Sequence, residues 1–230
     1  MKPGFFDILS IAAVASFFTP LMIVFCRKLW RDPFFMFFAT YWAVGGIISL
    51  TDFIPSLPET TKQTIGAVYN MLDVPTVLAI LYYTSTSLML RKFTSVAFVF
   101  YMIMQIFSVV IKGVNYNALK YTLGSGIALV LIVLTWEIVR YLQKVEHNNR
   151  QNAKVLIYAA LLFEYATFIL VYVFDYFTDK QFYELQKKDI HLIYYISTLV
   201  GIIIACCGYL LYKKYKKEEP LRNEINIDII

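Results

Sequence analysis

Seven stretches of this chain are long and apolar enough to cross a bilayer, and that repetition constrains the fold more than any motif. A spanning helix needs about 20 mostly apolar residues, because a rise of about 1.5 Å per residue must cross roughly 30 Å of hydrocarbon. The stretches run approximately 5–26, 34–55, 65–90, 94–112, 118–142, 154–175 and 191–212. The expected fold is therefore all-α: a polytopic bundle of seven transmembrane helices over 1–212, followed by a basic tail over 213–230. Composition agrees. Of the 230 residues 59 % are hydrophobic and 16 % charged, against roughly 25 % charged in soluble domains. A soluble fold of this size cannot bury so much apolar surface, so the surplus must face lipid. Soluble enzymes, nucleic-acid-binding domains and secreted disulfide scaffolds are excluded. The bilayer is the first expected partner, and nucleic acid is not one.

Orientation follows from the basic residues. Fourteen of the 21 lysines and arginines lie in or beside the first, third and fifth connections and the C-terminal tail, and seven on the opposite side. That bias predicts an N-terminus outside and a C-terminus in the cytoplasm, as an odd number of spans requires. The expected location is the cell membrane, multi-pass, and the inner membrane in a bacterium. Ala13-Val14-Ala15 resembles a signal-peptide cleavage site, but hydrophobicity continues to Phe25 and Arg27-Lys28 follow, so the first helix is expected to be retained.

Ionisable groups at membrane depth cost at least a few kcal/mol and tend to face the bundle interior. Glu164 falls near the middle of the sixth span, about 11 residues from its expected start, and Asp73 about 8 residues in from the outer end of the third. Lys154, the nearest basic residue in the same helix, is about 15 Å from Glu164 along the axis. Glu164 is therefore expected to be protonated, or ionised against Lys112 or His191 from another helix. Asp52 and Asp175 approach the outer interface. Asn70, Asp73, Thr76, Thr84 and Ser87 recur at helical steps on the third span, where Pro75 must free a backbone carbonyl near Met71. Matching polar faces occur on the second span (Tyr41, Gly45, Ser49, Asp52), the fourth (Tyr101, Gln105, Ser108, Lys112) and the seventh (His191, Tyr194, Thr198). Gly201, Ala205 and Gly208 suit close helix approach. If the polar faces converge, they form a cavity opening outward with Glu164 at its floor.

The remaining chemistry is mostly excluded. With only two histidines, His147 and His191, the chain matches no His-rich catalytic zinc site and offers little for a Ser-His pair. There is no HExxH and no P-loop. Cys26, Cys206 and Cys207 lack CxxC spacing. Neither a cofactor nor a metal is expected. The layout resembles that of microbial rhodopsins, but the last span has no lysine before Lys213, which excludes a retinal Schiff base. It is also similar to the SWEET sugar-transporter layout, with Phe18-Thr19-Pro20 in the position of a hinge proline. The fifth span has no matching proline and the seventh no asparagine, so both likenesses are of layout alone.

The leading expectation is a non-enzymatic membrane protein that binds or transports a small solute or protons. Its site would comprise Glu164, Asp73, Asp52, Asn70, Gln105, Tyr101, Tyr194 and His191, with Pro20 and Pro75 as hinges. A lipid-modifying enzyme using Asp73 and Glu164 as acid and base is the alternative. A structural or receptor subunit is the third, and an oligomer or partner membrane protein is left open.

Overall fold

The computed structural model describes residues 4–178 and 180–212, with side chains at all of these except 116 and 180–188. The expected tail, 213–230, lies outside the described residues. Among the described residues there is no strand, and seven helical spans are long and apolar enough to cross a membrane. Helices α1 (Phe5–Ser16) and α2 (Thr19–Cys26) together form the first span. The other six are α3 (Pro33–Ser49), α4 (Glu59–Thr84), α5 (Leu88–Lys112), α6 (Tyr116–Leu142), α7 (Asn149–Phe177) and α8 (Lys180–Leu211).

Local chemistry sets the ends. The first span breaks at Phe17-Phe18 because Pro20 has no N–H to continue the ladder, and the chain restarts with that proline in the first turn of α2. Asp32 caps α3: its Oδ1 accepts from the Phe34 N–H at 3.1 Å, and Pro33 follows. The guanidinium of Arg150 donates to both oxygens of Asp32, at 2.9 and 3.0 Å, so the starts of α3 and α7 are tied together.

The third span lies earlier in the chain than hydropathy places it, and the fourth begins earlier but ends at Lys112 as expected. α4 begins at Glu59 behind Pro58, and its polar first turns carry too little apolar signal to be counted. It ends at Thr84, where Ser85 turns extended and Ser87 caps α5 by accepting from the Leu90 N–H at 3.3 Å. Ser87 thus leaves the polar stripe expected for the third span, and Arg91 and Lys92 sit in the first turns of α5 rather than in a loop. Asp73 consequently lies at mid-helix, about 21 Å from the start of α4 by rise. Helix α8 likewise begins at Lys180, inside what reads as a connection.

Neighbour relations define a ring. α1 and α2 pack on α3 and α8, α3 on α4, α4 on α6, α6 on α7, and α7 on α8. α5 stands outside this ring, seated on α4 and α6. Its outer face exposes Val96, Phe100, Ile103, Phe107 and Val110, each three or four residues apart. Phe5, Ile8 and Ile11 on α1, with Ile193, Ile196 and Ile203 on α8, are exposed too. An apolar belt of this extent has the composition that a lipid-facing surface requires.

Candidate functional site

Asp73 and Glu164 line one cavity at the centre of the ring, a space of about 80 Å³. α4 supplies Asp73, Asn70 and Tyr69; α3 supplies Tyr41 and Trp42; α7 supplies Glu164, Tyr165 and Phe168. Phe17, at the break of the first span, and Tyr194, Ser197 and Thr198 of α8 complete it. Among the described residues no lysine, arginine or histidine belongs to the lining.

Each carboxyl is held by aromatic donors. The Tyr41 hydroxyl donates to Asp73 Oδ1 at 2.8 Å, and that of Tyr165 to Oδ2 at 2.6 Å. The two phenol oxygens are 3.3 Å apart. Glu164 Oε2 accepts from the indole N–H of Trp42 at 3.0 Å. The expected cationic partners of Glu164 are elsewhere: Lys112 lies over the Tyr121 ring at the end of α5, and His191 lines the vestibule described below. Glu164 Oε1 is buried with no hydrogen-bond partner among the described residues, and so is Oγ of Ser197, another residue of the lining. The carboxyl of Glu164 lies directly against Gly201 of α8, where a Cβ would come within 2.5 Å of Oε1. Gly201 therefore makes room for a side chain, whereas a Cβ on Gly208 would come within 2.8 Å of the Ala153 carbonyl oxygen, so that Gly208 serves close backbone approach.

Tyr69, Asn70, Phe168, Tyr194, Thr198 and Phe17 also border a larger vestibule of about 260 Å³ at the end of the bundle where α4 and α8 begin. Asp52, Asp175, His191 and Lys62 lie there, and the Lys62 ammonium donates to the Asp52 carbonyl at 3.1 Å. Toward the opposite end the cavity is closed by buried rings. Phe34, Phe38, Trp42, Tyr158 and Tyr209 stand with centroids 5.0 to 6.3 Å apart. Between α3 and α4 an apolar crevice of about 740 Å³ opens on the outer surface of the ring and reaches Tyr41, Tyr69 and Asp73.

Of the sequence-derived candidates, Asp73, Glu164, Asn70 and Tyr194 line the central cavity, while Asp52 and His191 line the vestibule. Tyr101 and Gln105 are in neither, because α5 packs outside the ring. The Gln105 amide donates to the Met71 carbonyl at 3.2 Å, the carbonyl that Pro75 leaves without its helical N–H. Tyr101 is fully buried, with its ring against Gly126 of α6. Thr76, expected on the polar face, points out into the α3–α4 crevice. Trp42 and Tyr165 carry direct bonds to the carboxyls yet escape sequence reading, because an aromatic ring in an apolar run looks like core. Their only signal is adjacency to Tyr41 and Glu164.

No protein-family model matches this chain, and neither the curated proteins nor the solved structures searched yield a match.

Proposed function

We propose that the chain is a multi-pass cell-membrane protein, N-terminus outside and C-terminus in the cytoplasm, that binds or transports a small cationic solute or protons at the Asp73–Glu164 cavity. The two-to-one bias of basic residues supports the orientation, and on it the vestibule faces outward. One observation carries the reading. Among the described residues the cavity is lined by two carboxyls and no basic side chain, and two of its lining residues, Glu164 and Ser197, carry a buried polar atom, Oε1 and Oγ, without a hydrogen-bond partner. Such atoms are costly unless water or a ligand meets them. A carboxyl there is a natural seat for a proton or a cation, and rings of Trp42, Tyr69 and Tyr194 add the negative π-faces that attract organic ammonium groups. The space suits a few water-sized groups and is too small for a sugar.

The test is flux in proteoliposomes. Proton movement is followed with an entrapped pH dye, and tetramethylammonium movement with radiolabel, for the unaltered protein and for Glu164→Gln. Movement of either that falls at least about tenfold in the variant supports the reading; a tenfold change corresponds to about 1.4 kcal/mol at the site. Movement of neither, or movement indifferent to Glu164, overturns it.

A second reading rests on the α3–α4 crevice, which gives an acyl chain a path to Asp73, Tyr41 and Tyr69. On that reading the protein modifies a lipid, with Asp73 and Glu164 as acid and base. Lipid product that disappears in Asp73→Asn, from a protein with no flux, favours it over the first.

A further inference from the structure

A second polar cavity lies at the opposite end of the bundle, beyond the aromatic plug. It occupies about 160 Å³ between the α4–α5 turn, the end of α6 and the start of α7. Four cations line it, Arg140, Lys144, Arg150 and Lys154. Two carboxylates oppose them: Asp32, taken up by both guanidinium donors of Arg150, and Glu137, whose Oε2 is 3.8 Å from Arg140. Among the described residues no carboxylate pairs with Lys144 or Lys154. Lys154 is held over the Phe34 ring at 4.6 Å instead.

Four cations against two carboxylates leave an excess of positive charge around one pocket, with Lys144 exposed at its rim. Like charges gathered in this way repel, and an anion among them relieves that repulsion. The first turn of α7 points the same way, since the positive end of that helix opens on the pocket. Its capping is already complete: the Asn148 Oδ1 accepts from the Gln151 N–H at 2.8 Å, and the Gln151 Oε1 from the Asn148 N–H at 3.2 Å. Neighbouring polar groups are also engaged, the Thr84 hydroxyl donating to the Ile80 carbonyl and the Tyr141 hydroxyl to Asn152 Oδ1. The donors the lining offers a ligand include the two ammonium groups, the Arg140 guanidinium, the side-chain amide N–H groups of Asn148 and Gln151, and the hydroxyl of Thr86. An array of cations and a hydroxyl around a space several times that of one water suits a tetrahedral oxyanion.

We propose that this basic pocket binds a phosphate-bearing anion, with Lys144 and Lys154 as its principal contacts and Arg140 beside them. Phosphate chemistry of this kind has two sources, the headgroup of an anionic lipid or a soluble phosphate compound. Lysines near an anionic bilayer surface strengthen attachment to it.

The experiment uses the full chain purified in non-ionic detergent and in nanodiscs. Inorganic phosphate is titrated at constant ionic strength against thermal unfolding in phosphatidylcholine nanodiscs. Retention of phosphatidylglycerol is measured by native mass spectrometry. Both are repeated with Lys144→Gln/Lys154→Gln, with Thr86→Asp, and with Lys92→Gln, an exposed lysine at the same end that should change nothing. The proposal expects binding that weakens about tenfold or more in the first two variants and is unchanged in the third. Stabilisation by phosphate in phosphatidylcholine alone assigns a soluble ligand. Retention of phosphatidylglycerol without a phosphate effect assigns a lipid headgroup. No binding of either by the unaltered protein, or equal binding by all variants, overturns the site.

Discussion

Glu164 illustrates how one residue joins packing to chemistry. Its Oε2 is fixed by Trp42, its carboxyl and stem lie against Gly201, and its Oε1 is buried there without a hydrogen-bond partner among the described residues. Glu164→Gln keeps an acceptor for the indole and nearly the same shape, so thermal stability in detergent should stay within about 1 kcal/mol while ligand-dependent behaviour is lost. Gly201→Ala is the opposite case. A methyl 2.5 Å from Oε1 forces the carboxyl to move, and overpacking of this kind costs about 1–3 kcal/mol. The expected outcome is a lowered unfolding temperature together with altered ligand response. A Gly201→Ala protein with unchanged stability and unchanged binding would contradict the packing of Glu164 against α8.

Helix α4 owes its continuity through Pro75 to a neighbour. The expectation that the proline frees the Met71 carbonyl holds, and the structure supplies the donor that the sequence leaves unidentified, Gln105 of α5. Gln105→Leu should destabilise the protein by about 1–3 kcal/mol, because a buried carbonyl loses its donor. Pro75→Ala restores the helical N–H, so the double variant should recover most of that loss. A double-mutant cycle by thermal unfolding reads the coupling, and simple additivity would show that the Gln105 bond contributes nothing. The same pair shows why Gln105 misleads a reading of the sequence. Its periodicity on α5 is sound, but periodicity assigns a face to a helix and not a neighbour to that face. Only the placement of α5 outside the ring reveals that Gln105 serves α4 and Ser108 serves α6, where its hydroxyl donates to the Ala118 carbonyl. The boundary shifts at Glu59 and Leu88 have a similar cause, since capping by Pro58 and Ser87 is local chemistry that hydropathy averaging passes over.

At the scale of the whole molecule, seven apolar spans were legible because lipid demands length and composition that few other folds share. The meeting of Asp73 and Glu164 was legible only as a possibility, for each is costly in its own helix. The ring order that brings α4, α7 and α8 together depends on side-chain fit over long sequence separations. The closed side and the open side follow from it: rings of Phe34, Phe38 and Tyr158 beneath, and the Asp52–His191 vestibule above. Cysteine placed at Asn70, in a background without Cys26, Cys206 and Cys207, should therefore react with a charged thiol reagent added from the outside of intact cells. Cysteine at Phe38 should not react from either side. Equal labelling at both positions would contradict an opening at one end only.

Cation binding at Glu164 is measured most directly by titration calorimetry with methylammonium. The purified protein should bind methylammonium saturably, Glu164→Gln at least about tenfold more weakly, and the double basic-pocket variant Lys144→Gln/Lys154→Gln as the unaltered protein does. Binding that is absent from the unaltered protein, or that survives intact in Glu164→Gln, would contradict the assignment of the central cavity as a cation site.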